Sequence, residues 1–291
     1  MLTREQNRLI ERQEWMEPAS DAIQKAVSGA LTGGATRRRL EDFLIGVWLG
    51  HPLHPLLSDI PVGAWTTALG LDAFEMSTGH TQFAPGADAA VVIGVVGGLA
   101  SAITGLAQWQ YTDAQPRRIG LAHALLNLTG TALYITSAAL RARGKRSAGQ
   151  GVALLGYGCV AAAGYLGGDL AYNTRIGVNH APGQTPPDQF TAVLPERALA
   201  EGTAQAVDVG DLRMMLVREH GRIYALAREC SHLGGPLEEG AIADGCVTCP
   251  WHSSRFALAD GRVVHGPATF PQPHFETRLR NGQIEVKMTP Q

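Results

Sequence analysis

Charge is missing from long stretches of this chain. Between Asp88 and Asp113 there are 24 residues without a charged side chain, between Arg118 and Arg141 there are 22, and between Arg146 and Asp169 another 22. A soluble helical bundle needs a polar face on each helix to meet water, and these segments offer none. Each is long enough to cross a hydrocarbon core, which takes about 20 residues. A fourth candidate runs from about Leu53 to Met76 and is interrupted by Asp59 and Asp72. Cysteine is also scarce, with four in 291 residues, which excludes a disulfide scaffold and fits a reducing compartment. The net charge of −2 gives no basic field for nucleic acid. Residues 1–36 lack the charged start and apolar run of a cleavable signal, and Arg37-Arg38-Arg39 reads as juxtamembrane positive charge.

What is present falls into two halves. Residues 1–40 read as a polar N-terminal segment, 41–175 as a four-helix membrane domain, 176–188 as a Gly- and Pro-bearing linker, and 189–291 as an antiparallel β domain. The last rests on short alternating runs such as Arg213–Val217, Arg222–Leu226 and Ile284–Lys287 between Gly and Asp turns. The fold class is therefore multidomain, an all-α transmembrane bundle followed by an all-β domain. Gly94 with Gly98, and Gly164 with Gly168, have small-xxx-small spacing and predict close helix packing. His54, Leu56, Leu57 and Ser58 parallel His123, Leu125, Leu126 and Asn127, which suggests two related hairpins. With four spans, ten Lys or Arg fall on the side of both termini and four opposite, predicting an inner-membrane protein with both termini in the cytoplasm.

The chemistry-bearing residues of the β half are Cys230 and His232, then Cys249 and His252. Two thiolates and two imidazoles suit an iron-sulfur cluster in which thiolates hold one iron and imidazoles the other. The same four residue types also suit a structural zinc ion, although zinc sites commonly pair like with like and each half here mixes Cys with His. Cys246 stands three residues before Cys249 and reads as a buried core thiol, not a redox pair.

The runs Cys230-Ser-His-Leu-Gly-Gly-Pro-Leu and Cys249-Pro-Trp-His-Ser-Ser-Arg-Phe, followed by Gly266-Pro-Ala, resemble the Rieske 2Fe-2S family over about residues 189–289. That resemblance implies that Cys230 and Cys249 bind the inner iron and His232 and His252 the outer one. It implies a covering loop at Gly266-Pro267-Ala268, and support around the cluster from Gly234, Gly235, Trp251 and Ser254. Quinol-oxidising members of the family join their ligand loops by a disulfide and direct a Tyr hydroxyl at a ligand sulfur. Here Gly235 and Trp251 stand at the disulfide positions and Phe256 at the Tyr position, so a ferredoxin-type centre of low to intermediate potential is expected. Ser253 stands where the family commonly has Gly.

In the membrane half, Trp48-Leu-Gly-His51-Pro-Leu-His54-Pro leading into Asp59-Ile-Pro61-Val-Gly is similar to a bacterial membrane domain family that sometimes carries a Rieske module, over roughly residues 40–175. That resemblance supplies no chemistry. His51, His54, Asp59, His123, Asn127 and Asp169 are costly in lipid and are expected to face the bundle interior. They read as a satisfied polar network, as a haem b site held by His123 with His54 or His51, or as a quinone or proton site. The function expected is a membrane-anchored carrier of single electrons between redox proteins. The alternatives are an oxidoreductase whose bundle binds haem b or quinone, with the β domain as internal relay, and a redox-sensing or docking module. Membrane lipid and a redox donor or acceptor are the partners implied.

Overall fold

The computed structural model describes residues 8–10, 12–181, 189–210 and 212–288. Most of the segment read as a linker, 182–188, lies outside the described residues. The chain forms two compact units, one of residues 1–37 and 53–176, the other of residues 38–52 and 177–291.

The first unit holds helix α1 (Met16–Leu31), the start of α2 (Gly34–Ile45), and four long helices, α3 (Leu53–Thr78), α4 (Ala84–Trp109), α5 (Ala114–Ala142) and α6 (Arg146–Gly168). A π-helical turn, Asp169–Asn173, closes α6. The uncharged segments become α4, α5 and α6 with its π turn, and these three are long and apolar enough to cross a membrane. Helix α3 has the length, at 26 residues, but carries Asp59, Asp72 and Glu75.

Helices α3 and α4 form one closely packed hairpin and α5 and α6 a second, while the hairpins meet less extensively. Small residues permit the close approach. A Cβ at Gly94 would collide with the Trp65 ring, and one at Gly97 would come within 2.5 Å of Ile60 Cγ2. Trp65 in turn stacks on Tyr134 of α5 with ring centroids 4.2 Å apart. On α6 the packing glycines are Gly149, Gly156 and Gly167, whereas Gly164 and Gly168 face open space, contrary to the spacing argument. The 3.6-residue period puts that pair on the outer face.

The ionisable groups of the bundle pair at one end. Asp72 of α3 binds Arg141 of α5, Arg141 Nη1 lies 2.9 Å from Asp88, and Arg146 Nη1 lies 2.6 Å from the same carboxylate. Arg146 also grips Glu75 at 2.6 Å. The polar N-terminal helix α1 braces the other end: Gln24 donates to the carbonyls of Trp109 at 3.0 Å and Thr112 at 2.8 Å, and Glu17 pairs with Arg117 and Arg118.

The second unit is built from two antiparallel sheets. Six strands run in the order β1-β10-β9-β4-β3-β2 and four in the order β5-β6-β7-β8. The strands are β1 (Thr191–Pro195), β2 (Ala204–Val209), β3 (Leu212–Glu219), β4 (Arg222–Ala227), β5 (Ala241–Ala243), β6 (Cys246–Thr248), β7 (Arg255–Ala257), β8 (Val263–His265), β9 (His274–Arg280) and β10 (Gln283–Met288). Central strand β3 buries both faces: Met214 and Leu216 join one core, Met215 and Val217 the other. Cys246 is buried on β6, as expected of a core thiol. Residues 38–52, divided by the sequence reading between the polar segment and the membrane domain, belong to this unit because Asp42 and Ile45 of α2 pack on the turn after β8.

Candidate metal centre

Two loops at one end of the smaller sheet carry the four candidate ligands, and they repeat one another bond for bond. In the first, between β4 and β5, Cys230 N–H donates to Gly235 O at 2.9 Å and Gly234 N–H donates to Cys230 O at 2.8 Å. In the second, between β6 and β7, Cys249 N–H donates to Ser254 O at 2.8 Å and Ser253 N–H donates to Cys249 O at 3.0 Å. The closing residue has positive φ in both, 78° at Gly234 and 62° at Ser253. Ser253 thus occupies a left-handed position that glycine fills without strain. Each loop turns the N–H groups of its second and third residues after Cys back onto the sulfur: His232 and Leu233 onto Cys230, Trp251 and His252 onto Cys249.

The sulfurs face each other closely enough to share a proton. That hydrogen bond and the backbone donors pull the Cys249 thiol down, while the same bond and burial push Cys230 up. His232 and His252 stand side by side with ring centroids 5.0 Å apart and planes at 87°. Burial, reinforced by His252 and His180, holds the His232 imidazole down to about 3, so it is neutral and keeps a lone pair for a metal. With a metal–nitrogen bond of about 2.0–2.1 Å and roughly 1.1 Å from nitrogen to ring centre, two imidazoles on one tetrahedral metal stand about 5 Å apart. The observed spacing fits. Among the described residues no group of three or more His, Cys, Asp and Glu closes on a single ion position. A cysteine pair and a separate histidine pair suit a cluster with one iron at each end.

The surroundings explain several sequence choices. A Cβ at Gly235 would lie 2.9 Å from Cys249 Sγ and 3.1 Å from the Trp251 ring, so the indole fills the space against glycine. Ser254, fully buried, accepts the Ala268 N–H at 2.9 Å, leaving its hydroxyl hydrogen for another acceptor. Gly266, Pro267 and Ala268 are buried in the turn after β8.

Three contacts were not anticipated. Buried Gln272 accepts the Ser231 N–H at 3.1 Å and donates to the carbonyls of Ala227 at 2.9 Å and Glu229 at 2.6 Å, bracing the first loop. His180 donates its backbone N–H to Ser231 O at 3.0 Å. Asp42 accepts the Gly266 N–H at 2.9 Å and lies 2.8 Å from His265 Nδ1. Partners so distant in sequence leave no local pattern.

The Rieske [2Fe-2S] domain family matches residues 189–277, and the family described as Predicted membrane protein (DUF2231) matches residues 50–180. The anthranilate 1,2-dioxygenase ferredoxin subunit of Burkholderia cepacia is 30% identical over 100-odd residues, which cover 35% of this chain and 85% of that subunit. The chain belongs to the Rieske family. It carries a Rieske 2Fe-2S domain fused to a predicted membrane domain. Human apoptosis-inducing factor 3 is 29% identical over 34% of this chain, which spans only 16% of that protein's length. The ferredoxin of carbazole 1,9a-dioxygenase from Nocardioides aromaticivorans IC177 shares 25% identity over 35% of this chain and 99% of its own, with a TM-score of 0.33.

Of the six membrane residues singled out in the sequence, the structure brings three together. His54 and His123 face each other with ring centroids 6.4 Å apart, and Asn127 Nδ2 lies 3.1 Å from His123 Nε2. Asp169 is buried in the π turn, with one oxygen accepting from Asn173 at 3.1 Å and the other without a hydrogen-bond partner among the described residues. His51 and Asp59 do not face the bundle interior, contrary to expectation, and both are exposed. His51 lies outside the helices and donates to its neighbour's carbonyl, Pro52 O, at 3.0 Å. Asp59 sits in the second turn of α3, about 9 Å along the axis at 1.5 Å per residue, close to the helix end.

Proposed function

We propose that the protein is a membrane-anchored electron carrier whose Rieske domain holds its cluster through Cys230, Cys249, His232 and His252. The observation that carries this reading is the pair of matching loops, which set two sulfurs under four backbone N–H groups and two imidazoles beside each other. When bound, the cluster exchanges one electron at a time. Cys230 and Cys249 supply the thiolates, and the N–H groups of His232, Leu233, Trp251 and His252 offset their negative charge. Trp251, 57% exposed beside His252, offers an apolar rim for a redox partner. The Gly235–Trp251 contact, in place of a cross-link, favours a ferredoxin-like potential below that of quinol-oxidising centres.

The helical unit keeps this carrier at the membrane, and the surplus of positive residues flanking both termini favours a cytoplasmic domain on the inner membrane. The partner is then a cytoplasmic or membrane redox protein. Anaerobically purified full-length protein should contain non-haem iron and acid-labile sulfide in equal amounts and give the electron paramagnetic resonance signal of a reduced Rieske centre. Zinc without sulfide would overturn the reading. Substrate turnover by the isolated protein, without a second redox protein, would replace the carrier role with an oxidoreductase one.

A further inference from the structure

The two helical hairpins carry the same device. On α3, His54 Nδ1 lies 2.9 Å from the carbonyl oxygen of Ser101 on α4. On α5, His123 Nδ1 lies 2.8 Å from the carbonyl oxygen of Ala163 on α6. Four residues past each carbonyl stands a glycine against the imidazole: a Cβ at Gly105 would lie 2.9 Å from His54 Cε1, and one at Gly167 would lie 3.1 Å from His123 Cε1. Histidine, anchoring carbonyl and glycine thus recur once per hairpin, and the two rings face each other across the less extensively packed seam.

A carbonyl oxygen can only accept, so each Nδ1 carries the hydrogen and each Nε2 keeps a lone pair. Anchoring one ring nitrogen to a carbonyl is how proteins aim the other at a metal. Spacing then decides among occupants. Two imidazoles on opposite sides of one metal atom place their ring centres about 6.3 Å apart, from a metal–nitrogen bond of about 2.0–2.1 Å and roughly 1.1 Å to each centre. The observed value is 6.4 Å. A quinone ring hydrogen-bonded at both ends needs well over about 10 Å, from two bonds of about 2.8 Å plus its own width. A bare divalent cation would have two neutral protein ligands in an apolar bundle, because no third His, Cys, Asp or Glu joins them among the described residues. A planar macrocycle that supplies four nitrogens and negative charge removes that cost.

We propose that His54 and His123 are the two axial ligands of an iron porphyrin held between the hairpins. The sequence has no Cys-x-x-Cys-His, so the group is bound without thioether links. Asn127, now donating to His123 Nε2 at 3.1 Å, moves off that nitrogen when iron takes the lone pair. His51 has no part in the site.

The test uses full-length protein produced with ample haem supply and purified in detergent. One haem per chain and the sharp bands of a six-coordinate low-spin centre are expected in both oxidation states. His54→Met and His123→Met, which keep an axial donor, should each retain haem with a changed ligand-field spectrum. His54→Ala and His123→Ala should lose haem or open a coordination position, with the reduced Rieske signal unchanged, and His51→Ala should match the parent. Parent protein that shows its Rieske signal yet takes up no haem overturns the proposal. So does bound haem whose spectrum in both methionine variants is unchanged from the parent's.

Discussion

Gly235→Ala tests the construction of the metal centre most directly. Gly235 is not in the left-handed region, so alanine meets no backbone penalty, and the cost comes entirely from contacts. The added methyl would lie 2.9 Å from Cys249 Sγ and 3.1 Å from Cγ and Cδ2 of Trp251, against an ordinary carbon contact of about 3.5–4.0 Å. Relief requires a shift of roughly half an ångström or more, and overpacking of this kind costs about 1–3 kcal/mol. In a unit of this size each kcal/mol lowers the thermal midpoint by about 3–5 °C. The sulfur is affected more severely than the fold, since metal–ligand distances tolerate only about 0.2 Å. We therefore expect a folded, cluster-poor protein, read as reduced iron and labile sulfide per chain and a diminished resonance signal. Gly235→Ala combined with Trp251→Ala removes the indole contacts but not the 2.9 Å approach to sulfur, so it should recover stability without recovering the cluster. A Gly235→Ala protein with parental midpoint and full cluster content would refute this account of the two loops.

Other substitutions probe separate contacts. Ser254→Ala removes a buried hydroxyl whose hydrogen is available to a cluster sulfur; a hydrogen bond to a charged group contributes about 1.5–3 kcal/mol, and its loss disfavours the more negative reduced state. At 59 mV per tenfold change, a redox titration should find the potential lower by about 60–130 mV, and an unchanged value would remove Ser254 from the cluster's environment. Asp42→Ala strands the Gly266 N–H and should cost about 1–3 kcal/mol locally, speeding amide exchange at Gly266 and Ala268 and cluster loss in air, while Asp42→Asn keeps an acceptor and much of the stability. Asp72→Ala leaves the Arg141 side chain, 2% exposed, without its closest carboxylate; breaking such a pair costs about 3–5 kcal/mol and should lower the bundle's midpoint in detergent with the Rieske signal intact.

The residues legible in the sequence are those whose partners lie a few positions away. The ligand loops close on themselves within six residues, so their pattern survives as Cys-x-His and Cys-x-x-His with a turn residue at Gly234 or Ser253. The membrane helices were legible for the same reason, since freedom from charge is a property of the segment itself. Contacts made across the fold were not. Gln272 reaches Ser231 from 41 residues away and Asp42 reaches Gly266 from 224, and neither residue type is unusual for an exposed position. Helix rotation was also lost: spacing nominated Gly164 and Gly168 as packing residues although they face outward, and Asp59 as an interior group although it is exposed. A repeat of four residues defines a face but not which way the face points.

The two histidine pairs show how much distance adds to residue identity. Both consist of imidazoles brought together from separate segments, but the sequence marks only His232 and His252 as metal ligands, through Cys230 and Cys249 beside them, and leaves His54 and His123 between a polar network and a cofactor site. His232 and His252 stand 5.0 Å apart, the separation of neighbours on one tetrahedral metal, and their loops supply a thiolate pair for a second metal next to it. His54 and His123 stand 6.4 Å apart, the separation of ligands on opposite sides of one metal, with no further protein donor of the usual kinds among the described residues. The first arrangement needs a partner metal to complete its charge, and the second needs an equatorial ligand that the protein does not provide. Exchanging the two cofactors between the sites would leave an iron porphyrin with adjacent axial ligands or a diiron cluster with no thiolates, and neither is chemically acceptable. The angle its imidazoles can subtend at a metal thus separates the proposed haem site from the cluster site.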